Sequence, residues 1–204
     1  MYVKRVLPNG VRIISERLDN VRTVSVGIWV GNGSRYEPAE LNGISHFIEH
    51  MIFKGTEKRS ARHIAIAIDA LGGQANAFTD KECTCYYMKV LDSRLQTGIS
   101  LLADMFLESR FAQEDIELER GVVLEEIDMY EDSPEDVAID KLFEKCYDGS
   151  AAPSSAQRRR SRLSRPRPCT NTCTSITARR IRSSRSPVTS PTMISTISQT
   201  CSLS

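Results

Sequence analysis

No stretch of this 204-residue chain approaches the roughly 18 consecutive apolar residues that a membrane-spanning helix needs. The first ten residues, MYVKRVLPNG, hold no apolar run that could serve as a signal-peptide core. Both absences point to a cytoplasmic protein without a membrane partner. Cysteine is sparse and irregular: six residues at 83, 85, 146, 169, 173 and 201 form no paired framework, so a disulfide scaffold is excluded. Cys83 and Cys85 fall in a strand-like run and read as buried apolar thiols rather than a metal or redox pair. The starkest lack is confined to the last 54 residues. From Ala151 to Ser204 there is no Gly, Lys, acid or aromatic residue, and 36 of the 54 are Ser, Thr, Arg or Pro. Average usage would place about six Asp or Glu in such a length. Residues 1–150 carry 17 Lys and Arg against 26 Asp and Glu, whereas 151–204 carry ten Arg, so the formal net charge of +1 is two unlike pieces cancelling.

The chain therefore divides at residue 150. Residues 151–204 read as a disordered Arg/Ser/Thr/Pro-rich tail that packs nothing, and out-of-frame translation after codon 150 is the sharper form of that reading. An Arg-rich nucleic-acid arm is the rival, through Arg158-Arg159-Arg160 and Arg179-Arg180. The aromatic side chains that stack bases are missing, so no nucleic-acid partner is expected.

Residues 1–150 follow globular grammar. Val3–Leu7 and Val11–Arg17 flank Pro8-Asn9-Gly10, a hairpin signal. Thr23–Gly31 and Glu82–Leu91 alternate like strands. Helices are expected from an Asn42 cap to about Phe53, from a Ser60 cap over Ala61–Leu71, and over Arg94–Glu108 with Asp92 or Ser93 as cap. Two more should run from about Asp115 to Tyr130 and from Pro134 to about Tyr147. Strands interspersed with helices indicate an α/β (α+β) sandwich, a mixed, mostly antiparallel sheet with helices packed on it.

The chemistry lies at His46-Phe47-Ile48-Glu49-His50. In a helix, i and i+4 side chains share a face, so both imidazoles can reach one metal ion. Zinc takes histidine nitrogens, and its catalytic sites keep one position open. Glu49, three residues after His46, is placed to act as general base without ligating. The neighbours Phe47, Ile48, Met51, Ile52 and Phe53 make the helix largely apolar, and buried His and Glu demand a partner there.

This ordering, H-x-x-E-H, is that of the inverzincins. With its flanks, Gly43 through Thr56, it resembles the pitrilysin/insulinase family of zinc metallopeptidases, most closely the processing-peptidase branch. The resemblance implies one zinc ion per chain and hydrolysis of peptide bonds in unfolded or extended peptides. It also implies a third zinc ligand about 75 residues past the second histidine, which lands on Glu126. Local geometry agrees: Glu119 and Glu126, seven apart, share one helical face, whereas Glu125 is rotated about 100° from Glu126 and reads as solvated. Glu119 matches a second glutamate that the family keeps beside the site, which implies a catalytic part for it, tuning the histidine ligands or the zinc-bound water. Gly72-Gly73-Gln74-Ala75-Asn76-Ala77-Phe78-Thr79 is similar to the family's segment beside the zinc helix, which implies substrate binding by strand addition at Asn76, Ala77, Phe78 and Thr79. His63 has no motif support and reads as a helix-surface residue. Members of the branch are about twice this length, in two related halves, so residues 1–150 are expected to be an incomplete N-terminal half. A second peptidase half, or further copies of the chain, would then be its partner.

Overall fold

The computed structural model describes residues 2–38, 41–146 and 193–198. Alternating β-branched and aromatic runs become the strands β1 (Tyr2–Val6), β2 (Arg12–Arg17), β3 (Thr23–Val30), β4 (Gln74–Thr79), β5 (Thr84–Leu91) and β6 (Met193–Ser198). The amphipathic runs become α1 (Ile44–Met51), α2 (Ala61–Ala70), α3 (Leu95–Leu107), α4 (Gln113–Glu131) and α5 (Pro134–Cys146). The sheet order is β1-β2-β6-β3-β5-β4. Only β2 and β6 pair in parallel; the other neighbours are antiparallel. The expected mixed, mostly antiparallel sheet with helices packed on it is thus the observed fold.

Along β5, Tyr86, Met88 and Val90 are buried while Tyr87, Lys89 and Leu91 are exposed, so one sheet face meets the helices. Val26 and Ile28 of β3 join that face, and Phe47, Ile48 and Met51 of α1 and Leu101, Leu102, Met105 and Phe106 of α3 close over it. The residues of β1 and β2 do not enter this core. Pro8-Asn9-Gly10 forms the connection between them, with Gly10 at φ 85° and the Leu7 amide donating to the Val11 carbonyl at 2.8 Å.

One strand departs from the sequence expectation. Met193–Ser198 lies inside the segment read as packing nothing, yet it fills the place between β2 and β3, pairing Arg12 with Met193 and Trp29 with Met193 on its two sides. The run MISTIS is rich in β-branched residues, and backbone pairing on both sides needs no more than that. The expectations for the rest of 147–192 and 199–204 lie outside the described residues.

The start of α1 also differs from the expected Asn42 cap. Gly43 occupies the cap position with φ 91°, in the left-handed region, and no cap side chain bonds the helix. The Glu37 carboxylate replaces it: Oε2 accepts from the Gly43 amide at 2.5 Å and Oε1 from the Ser45 amide at 2.8 Å. A buried carboxylate at a helix N-terminus meets both the free amides and the positive end of the helix dipole. Ser60, by contrast, caps α2 as read, accepting from the His63 amide at 3.3 Å.

The loop after β3 is clamped onto the β4–β5 turn. Ser34 and Arg35 amides donate to the Asp80 and Lys81 carbonyls, at 3.1 and 2.9 Å. Gly33 lies so close beneath that a Cβ there would stand 2.2 Å from the Asp80 carbonyl oxygen. Gly33→Ala is therefore expected to destabilise the fold by about 1–3 kcal/mol. Gly121→Ala, in the middle of α4 with nothing within 4 Å, is expected to stabilise it by about 0.5–1 kcal/mol. Urea midpoints compared with wild type check both signs. Glu37→Ala strands two buried amides at the start of α1, and the same measurement should show a loss of about 1–3 kcal/mol.

Candidate metal centre

The helix α1 has two faces. Phe47, Ile48 and Met51 are buried in the core, while His46, Glu49 and His50, spaced i, i+3 and i+4, stand half-buried on the other side. That side meets α4 and β4. On α4 the core-facing stripe is Ile116, Val123 and Ile127, and Glu119 sits in it at 4% exposure. Two turns further on the same side is Glu126, half-buried; Glu125 is exposed, as its rotation predicts.

The sequence-predicted ligands come together. Nε2 of His46 and Nε2 of His50 are 3.2 Å apart, and Oε2 of Glu126 lies 3.4 Å from the latter and 3.6 Å from the former. A tetrahedral zinc with ligand bonds of about 2.0–2.1 Å sets its donors about 3.3–3.4 Å apart. The spacing fits, and so does the chemistry of two imidazoles and one carboxylate. Among the described residues, this is the group of three His, Cys, Asp or Glu side chains close enough to share a metal ion. Glu49 is outside that group; its Oε2 accepts a 2.6 Å hydrogen bond from the Thr79 hydroxyl at the end of β4.

The other ring nitrogen of His50 is held as well. Its Nδ1 lies 2.9 Å from Glu119 Oε1, and Lys54 Nζ pairs with Glu119 Oε2. Burial alone would push the Glu119 carboxyl up, but the hydrogen bonds and charges of Lys54 and His50 outweigh it and hold the group below the ordinary carboxylate range. An ionised carboxylate only accepts, so His50 donates from Nδ1 and turns the Nε2 lone pair toward His46 and Glu126.

The proposed substrate strand is β4, one of the two outer strands of the sheet, beside α1. Asn76 and Phe78 are exposed, Ala77 is buried, and Thr79 is half-buried against Glu49. The Ala77 amide donates to the Asn76 side-chain oxygen at 2.9 Å, and the Phe78 ring meets Trp29 edge-on at 5.6 Å. His63 is exposed on α2, away from the other two histidines, bonding Ser60. Cys85 is buried, which pushes its thiol up to about 12, and neither Cys83 nor Cys85 joins the metal group. Sequence reasoning passed over Lys54 and Glu37. For Lys54 a signal exists: it is four residues after His50, on the same face of a turn that continues past α1 through the Lys54 amide to the Met51 carbonyl. Glu37 has none, because only the folded loop brings it to the helix start.

Comparison with known proteins shows the family. The family profile described as insulinase (peptidase family M16) matches residues 12–158. An uncharacterized zinc protease of Bacillus subtilis (strain 168) is 54% identical over 139 residues, covering 68% of this chain and 34% of that protein. A probable mitochondrial-processing peptidase subunit beta of Arabidopsis thaliana is 43% identical over 141 residues, 69% of this chain and 27% of that one. The crystal structure of a protease from Helicobacter pylori shares the fold, with a TM-score of 0.81 at 19% identity, covering 96% of this chain and 46% of that chain. The chain spans about a third of the length of the curated relatives it matches. Matched from β2 to beyond α5, it belongs to the insulinase family of peptidases, family M16, on its processing-peptidase-like side.

Proposed function

We propose that this chain is the N-terminal part of a zinc metalloendopeptidase, with residues 1–150 as the peptidase domain and one zinc per chain held by His46, His50 and Glu126. The observation that carries the reading is the spacing of the three donor atoms, 3.2, 3.4 and 3.6 Å. When bound there, zinc supplies Lewis-acid polarisation of a peptide carbonyl and makes water a better nucleophile at neutral pH.

The chain's own groups do the rest. Glu49 takes the proton of the attacking water and returns it to the leaving amine, and Thr79 orients its carboxylate. An extended peptide adds to the free edge of β4, where main-chain hydrogen bonds give affinity with little demand on sequence. Glu119 keeps His50 in place, touching the ring and not the substrate.

A second reading is favoured by the chain's span of about a third of its relatives. In it the site holds zinc but cleaves nothing until another peptidase half supplies the remaining substrate contacts.

Zinc content and cleavage of an unfolded peptide, measured on one purified sample, test both. Wild type is expected to carry one zinc per chain and His50→Ala none. Glu49→Gln should keep its zinc while cleavage falls by about 10²–10⁴-fold, the usual worth of a general base. Zinc without cleavage in wild type selects the second reading, and a folded wild-type chain that takes up no zinc would sink both.

A further inference from the structure

Two short contacts join a residue with no metal-binding capacity to the metal centre. Lys54 Nζ pairs with Glu119 Oε2, and Glu119 Oε1 lies 2.9 Å from His50 Nδ1. Glu119 is 4% exposed and spends its two oxygens on these two partners, while the Lys54 side chain is about one third exposed. A carboxylate that deep keeps one orientation only while each oxygen is satisfied.

We propose that Lys54 is a positioning residue for the metal centre: by clamping Glu119 it fixes the His50 ring with Nδ1 protonated and the Nε2 lone pair aimed at His46 and Glu126. The inference deepens the zinc reading and rests on it for its functional meaning. Its sign can be told apart from that of plain charge. Glu49, Glu119 and Glu126 carry three negative charges around the histidine pair, and Lys54 carries one positive charge. If Lys54 acted only through its charge, removing it would make the site more negative and tighten cation binding. As a clamp, its removal lets Glu119 and the ring turn, and binding weakens. Partners of this kind, one step behind a ligand, typically cost 10–100-fold in metal affinity when lost.

The test uses the full chain in wild-type, Lys54→Met and Lys54→Arg forms. Ring-nitrogen NMR without metal at alkaline pH reads the tautomers directly, and with three histidines in the sequence His50 is assigned by its absence in His50→Ala. Wild type and Lys54→Arg are expected to show His50 protonated at Nδ1, and Lys54→Met a mixture of tautomers. Zinc competition against a chromophoric chelator should show affinity about 10–100-fold lower in Lys54→Met and near wild type in Lys54→Arg. An unchanged tautomer in Lys54→Met, tighter zinc binding in it, or no rescue by Lys54→Arg overturns the proposal. If Lys54→Met does not fold, Lys54→Leu, which likewise offers Glu119 no donor, takes its place with the same expected outcomes. A wild-type chain without zinc affinity counts against the peptidase reading, while the tautomer comparison still decides on Lys54.

Discussion

A carboxylate buried on the core stripe of α4 sets the terms for the site. Glu119 lies where Ile116, Val123 and Ile127 pack, and an ionised group in that position holds only if cations or donors meet both of its oxygens. Lys54 and His50 meet them, so α1 and the turn after it must dock on α4 in one register. That register brings Glu126, two turns further along α4, to the paired histidines. The contacts that satisfy one buried charge thus also bring the three candidate ligands together. The carboxylate of Glu37 does the corresponding work at the other end of α1, where it meets the first helix amides.

What the sequence discloses is whatever is local. His46, Glu49 and His50 are fixed relative to one another by the pitch of a single helix, and Glu119 and Glu126 by that of another, so spacing alone places them. The pairing of the two helices is tertiary. Glu126 could be chosen over Glu125 only because a seven-residue interval and a family resemblance pointed the same way. The sequence places Thr79 at the end of a strand beside the histidine helix, but its bond to Glu49 depends on how β4 lies against α1. Glu37 is a loop acid before a proline, indistinguishable from a solvated one until the loop folds back. The β1–β2 hairpin, the Ser60 cap and the exposed His63 needed no long-range information, and they stand as read.

The two halves of the site differ in how much they demand. The metal group needs three atoms within a few tenths of an ångström, and it is built on helices whose buried faces are locked by Phe47, Met51, Val123 and Ile127. The proposed peptide edge needs only an outer strand beside them, and β4 is an outer strand with exposed Asn76 and Phe78.

The place of β6 bears on how the molecule comes into being. Its partners β2 and β3 are made early and Met193–Ser198 late, yet the strand stands between them and joins the β1–β2 hairpin to the rest of the sheet. During synthesis two facing strand edges must wait, unpaired, for a segment that emerges well after α5. Contacts of such sequence separation close slowly, and waiting edges are where neighbouring nascent chains stick to one another.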